Sequence, residues 1–125
     1  MNAIEAAKNQ SFFREVNERM RGLNESVKQG DEGADFLCEC AGEDCTYPVQ
    51  ITLDAYDGIR RVPTHFAVAA GMDHVFSDVE RIFAKRSGYF VVEKFGEAAL
   101  AAIKLDPRSR RMRAAQPEKT TERLP

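Results

Sequence analysis

Three cysteines fall within eight residues, Cys38-Glu39-Cys40-Ala41-Gly42-Glu43-Asp44-Cys45, and the rest of the 125-residue chain has none. The spacing C-x-C-x4-C lets three thiolates converge on one ion if the chain turns at Ala41-Gly42, so whatever fold forms must bend there. Two of the cysteines are separated by a single residue and their total is odd. Both facts suit chelation in a reducing compartment better than a disulfide framework. Zinc fits the thiolates best, because it accepts tetrahedral sulfur sites and has no redox chemistry of its own; iron binds the same ligands.

A closed site takes four ligands. With no fourth cysteine, the remaining candidates are His74, His65 or a nearby carboxylate such as Glu39, Glu43 or Asp44. His74 is favoured because it lies in a loop between predicted elements, free to point at a neighbouring turn, whereas His65 begins a predicted strand. Two other readings of the thiols compete with the metal: Cys38 as a buried apolar residue with incidental neighbours, or a redox role. The redox role lacks the C-x-x-C spacing at a helix start that lowers a thiol pKa.

The length fits one domain. Hydrophobic residues make up 43% and charged residues 30% of the chain, the balance of an ordinary globular protein. No apolar run is long enough to cross a bilayer. The first ten residues lack a basic start followed by an apolar stretch, so the expectation is a cytoplasmic protein without a secretory signal.

The periodicity predicts an amphipathic helix capped by Ser11, with Phe13, Val16, Met20, Leu23 and Val27 on a narrow seam, Arg14, Glu15, Glu18, Arg19 and Arg21 on its other faces, and a stop at Gly30. Residues 1–10 read as a flexible lead. Asp35 to Cys38 and Pro48 to Thr52 read as strands flanking the cysteine turn. Thr52 caps a short predicted helix, Leu53 to about Arg61, ended by Pro63. His65 to Ala69 reads as a third strand, closed by a turn at Gly71. Ser77 and Glu80 form a capping box that predicts a helix from Asp78 to about Arg86, with Val79, Ile82 and Phe83 buried. Tyr89 to Glu93 is the strongest strand, and Glu97 to Leu105 a weaker alanine-rich helix.

The fold class expected is therefore α+β: a long N-terminal helix packed on a small, mostly antiparallel sheet, with zinc tying the cysteine turn to the His74 loop, all within residues 11–105. Residues 106–125 read as a disordered basic tail. From Asp106 onward six basic residues face three acidic ones, a net of +3, which leaves the body at about −5 of the total −2. An acidic body disfavours nucleic acid as the main partner, although Arg108, Arg110, Arg111 and Arg113 offer a basic run for it.

The order Phe13-Arg14-Glu15-Val16-Asn17-Glu18-Arg19, Phe36-Leu37-Cys38-Glu39-Cys40, Leu53-Asp54-Ala55-Tyr56, Val79-Glu80-Arg81 and Tyr89-Phe90-Val91-Val92-Glu93-Lys94 resembles a family of small uncharacterised actinobacterial proteins. The likeness runs from about Phe12 to Arg108 and implies no particular activity. In that family a histidine often follows the loop glycine directly; here Met72 follows Gly71 and His74 comes two residues later. The cysteine spacing also resembles the zinc-binding segment that follows the catalytic domain of histone lysine methyltransferases, from which only the metal is taken.

No nucleophile with a base, phosphate loop or shaped carboxylate pair is visible, so no enzymatic activity is expected. The functional expectation is a protein-interaction or regulatory module that holds structural zinc and binds another protein, with a homodimer through the helix seam as one form. A zinc or thiol stress sensor and a nucleic-acid-associated regulator are the alternatives.

Overall fold

In the computed structural model, residues 3–26, 33–42 and 45–108 are described. The fold is α+β. Helix α1 spans Ala3–Ser26; strands β1 (Ala34–Leu37) and β2 (Pro48–Ile51) flank the cysteine turn; helix α2 (Leu53–Arg60) follows; then come β3 (His65–Ala69), a 3-10 turn (Met72–His74), β4 (Glu80–Arg86), β5 (Tyr89–Lys94) and α3 (Gly96–Leu105). Strands β1 and β2 form an antiparallel pair, and β3-β5-β4 a three-stranded antiparallel sheet. Two bonds splice the sheets: Glu39 N donates to Ala67 O at 2.8 Å, and Ala67 N donates to the Glu39 carboxylate at 3.1 Å.

Helix α1 starts well before the expected cap at Ser11, and so occupies most of the segment expected to be a flexible lead. Alanines explain it. They are the best helix formers, and Ala6 and Ala7 are buried, Ala6 against Ala41, Val79 and Ala98, where small side chains let α1 approach α3 closely. The stop expected at Gly30 and the seam residue Val27 lie outside the described residues.

The buried face of α1 is not the apolar seam alone. Phe13 is buried, but Leu23 is exposed, and the fully buried side chains include Gln10, Arg14 and Asn17, one above another at helical spacing. Arg14 was expected to face solvent. Its guanidinium instead lies 3.7 Å over the Phe66 ring and donates to the carbonyls of Pro63 and His65. These carbonyls flank the start of β3, so a cation on α1 anchors that strand where a leucine would leave backbone oxygens unpaired.

Residues 78–86 form no helix. Ser87 and Gly88 make a two-residue turn, with Gly88 at φ 87°, and the hairpin they close pairs β4 along YFVVEK. The local capping signal loses because the hairpin pairs β4 with β5 from Glu80 to Arg86, as an edge strand of the sheet. The Glu80 carboxylate still receives a backbone N–H, from Phe76 at 2.9 Å, but it does so while paired with Lys94 Nζ at 2.9 Å, both side chains fully buried. Phe83, expected inside, is 59% exposed.

The start of the expected tail is also integrated. Asp106 is buried and its carboxylate accepts from Arg60 Nη2 at 2.5 Å; Arg108 pairs with Glu18 and Asp57, each at 2.8 Å. Residues 109–125, including Arg110, Arg111 and Arg113, lie outside the described residues. Burial pushes the Asp106 and Glu18 carboxyls up, but the guanidinium bonds from Arg60 and Arg108 outweigh it and hold both below their ordinary values. Asp57 is held low by Arg21 first and then by Arg108. With folded values depressed, the unfolded chain binds more protons in acid, so the stability from these carboxylates is full above about pH 4.5 and is lost as pH falls through the folded values. Denaturant melts from about pH 7 to about pH 3 should show a decline confined to the acid side, shallower in Asp106→Asn. A flat profile would contradict the network.

Candidate metal centre

Strand β1 delivers Cys38 directly from its last residue, and pairing continues past the strand through Cys38 N to Tyr47 O at 2.8 Å, which clamps both ends of the cysteine loop. Cys45 N donates to Gly42 O at 3.2 Å, closing the turn between Cys40 and Cys45. On the other side, β3 ends at Ala69, Gly71 takes φ 127°, a conformation that L side chains rarely adopt, and the 3-10 turn that follows presents His74. The four residues are brought together: one ligand atom from each of Cys38, Cys40, Cys45 and His74 lies within 4.8 Å of all the others.

Two edges of the cluster match those of a metal tetrahedron. With metal–sulfur bonds of about 2.3 Å and metal–nitrogen bonds of about 2.05 Å, a sulfur–nitrogen edge should be about 3.6 Å. His74 Nδ1 stands 3.5 Å from Cys38 Sγ and 3.7 Å from Cys45 Sγ. All three cysteines are free of disulfides, Cys38 and Cys40 are buried, and Cys45 is partly exposed.

The Cys38 sulfur accepts a backbone N–H from Ala69 at 3.1 Å, and the backbone at Gly42 and Tyr47 favours the charged forms of Cys40 and Cys45. A neutral thiol is a weak acceptor, whereas a thiolate gains from such a bond, so an amide aimed at the Cys38 sulfur fits a negatively charged ligand. In the metal-free protein the sulfurs cannot all ionise together. A hydrogen bond between Cys38 and Cys40 holds Cys40 down to about 5 and pushes Cys38 far up, and burial raises Cys45. A bound cation removes that conflict by replacing the shared proton.

The other ligand candidates are elsewhere. His65 opens β3 four residues before Ala69, roughly 13 Å along the strand. Its Nε2 lies 3.2 Å from the Glu93 carboxylate and its ring packs on Phe83. Glu43 and Asp44 lie outside the described residues.

Glu39 sits between two of the clustered cysteines yet points away from them. Extended residues alternate sides, so placing Cys38 and Cys40 on one side sends Glu39 to the other. There its carboxylate, fully buried, accepts from Asn17 Nδ2 at 2.9 Å, Tyr56 OH at 2.7 Å and Ala67 N. Gln10 joins the cluster to Glu80 by donating to both Glu39 O and Glu80 Oε1, at 3.0 and 3.2 Å. The Tyr56 hydroxyl, buried and facing this carboxylate, is pushed well above its ordinary pKa. Sequence reasoning placed Glu39 only beside the thiols. The period-two alternation between Cys38 and Cys40 was the available signal that it turns inward.

No protein-family model, curated protein or solved structure matches this chain. No described helix is long and apolar enough to cross a membrane.

Proposed function

We propose that the protein is a small module stapled by a structural zinc ion held by Cys38, Cys40, Cys45 and His74, that it acts by binding another protein, and that it has no catalysis of its own. The observation that carries the reading is the donor set itself: three cysteine sulfurs and one imidazole nitrogen, all within 4.8 Å of one another, with Cys38 also accepting the Ala69 N–H. All four positions are taken by protein groups, as in structural sites, whereas catalytic zinc keeps one position for water or substrate. Zinc is preferred over iron because a three-sulfur, one-nitrogen site is a common structural zinc set.

Exposed apolar side chains support the binding role. Tyr47 and Met72 are both exposed; Tyr47 packs edge-on against His74, and Met72 opens the turn that carries it. The metal therefore sets the shape of a surface bearing two large apolar groups, the composition that partner-binding surfaces favour. Nucleic acid finds less support, since Arg108 spends its charge on Glu18 and Asp57.

Elemental mass spectrometry on the purified chain should find one zinc per chain, lost in Cys40→Ser and in His74→Ala. Tyr47→Ala and Met72→Ala should retain zinc and the melting temperature while abolishing capture of any partner bound by the wild type. Absence of metal would overturn the zinc assignment; capture unaffected by both surface variants would overturn the placement of the binding surface.

A further inference from the structure

A second site lies on the sheet face away from α1. Through the strand registers, His65, Val91, Tyr89, Ala84 and Arg86 share one face of β3-β5-β4. Helix α2 packs against β3, at one edge of that sheet, and between α2 and the β4–β5 half lies a half-open cavity of about 250 Å³. That is roughly the liquid volume of eight waters, at about 30 Å³ each, or a single ring with a short polar arm.

Two features keep this space open at a cost. Gly58 lies inside α2, where glycine is less favourable than alanine by about 1 kcal/mol. It lines the cavity, and a Cβ built on it would meet no atom within 4 Å, so close packing does not require the glycine. The second feature is the β-bulge between Ile82 and Ala84. A bulge sets two residues opposite one, and here it lets Phe83 and Ala84 both line the cavity. Phe83 stays largely exposed there, its ring 4.3 Å from that of His65. Bulges recur beside binding sites because they re-aim a side chain in this way.

The charge at the cavity is cationic. Arg86 lines it, and the hydrogen bond its guanidinium makes among the described residues goes to the neighbouring Lys85 carbonyl. The neighbouring Arg81, by contrast, is paired with Glu93. A guanidinium beside an apolar cleft with an aromatic wall suits a carboxylate, which it can grip with two parallel bonds, on a flat apolar body.

We infer that the cleft between α2 and the β4–β5 hairpin binds a small organic carboxylate with a ring-sized apolar body, the ring against Phe83 in the space left by Gly58 and the carboxylate on Arg86. The site is separate from the metal centre and does not depend on zinc being the metal.

The test is titration of the full chain with phenylacetate and with neutral phenylacetamide, followed by amide NMR shifts. Phenylacetate should give saturable shifts at Ala84, Tyr89 and Val91 and bind at least tenfold more tightly than the amide. Arg86→Gln, at an exposed position, should erase that preference. Gly58→Leu should abolish binding of both while keeping or raising the melting temperature, since leucine favours the helix. No saturable shift with phenylacetate, shifts mapping away from the cleft, or a preference that survives Arg86→Gln would each overturn the inference.

Discussion

Removing the metal with a chelator is expected to lower the melting midpoint by about 15 °C. An ion that binds the folded chain and not the unfolded one adds about 4 kcal/mol when free metal stands a thousandfold above its dissociation constant. For a domain of about 100 residues each kcal/mol shifts the midpoint by about 4 °C. Cys38→Ser should lose at least as much, because it removes a ligand and also the sulfur that receives the Ala69 N–H. The staple joins the end of β1, already tied to β3 by Glu39 and Cys38, to the turn after β3, whose backbone bonds are local, so its loss should free the His74 turn first. Thermal melts with and without chelator decide the matter. Coincident curves would mean that no metal contributes to the fold.

Glu39→Ala should cost about 3–5 kcal/mol, the range for deleting one member of a buried charged cluster. The carboxylate takes three hydrogen bonds in a fully buried position, so truncation strands the Asn17 amide, the Tyr56 hydroxyl and the Ala67 N–H together. It also removes the negative charge whose field favours the charged forms of Arg14 and Arg60. Glu39→Gln keeps the shape but turns an NH2 toward groups that also donate, so about 1–3 kcal/mol is expected. Because the same residue positions Cys38 and Cys40, Glu39→Ala should also weaken metal affinity on the order of tenfold. Chemical denaturation measures the first effect and competition with a chelator the second. A stability loss within about 1 kcal/mol would mean that the cluster is replaceable by water.

The chain's own pattern was enough for elements whose signals are local. Thr52 caps α2, accepting from Ala55 N at 3.1 Å, and the alternation in HFAVA and YFVVEK places β3 and β5. The cysteine–histidine cluster was legible for the same reason: C-x-C-x4-C needs only a turn to bring its sulfurs together, and His74 follows a glycine that turns the chain back. Tertiary structure decided what local pattern cannot weigh. Residues 78–86 carry a helix cap, yet Glu80–Arg86 became a strand because a two-residue turn offered YFVVEK as a partner for the backbone. Arg14 read as a surface charge, Glu39 as a neighbour of the thiols and Asp106 as the start of a tail, because a charged residue is buried only where its counter-charge or acceptors come from other elements. The Pro63 and His65 carbonyls for Arg14 and Arg60 for Asp106 lie far away in the chain, and Glu80 meets Lys94 only through the hairpin register. The cleft under α2 was equally hidden. An open space beside Gly58 exists only once a bulged strand from elsewhere in the chain is laid across from it.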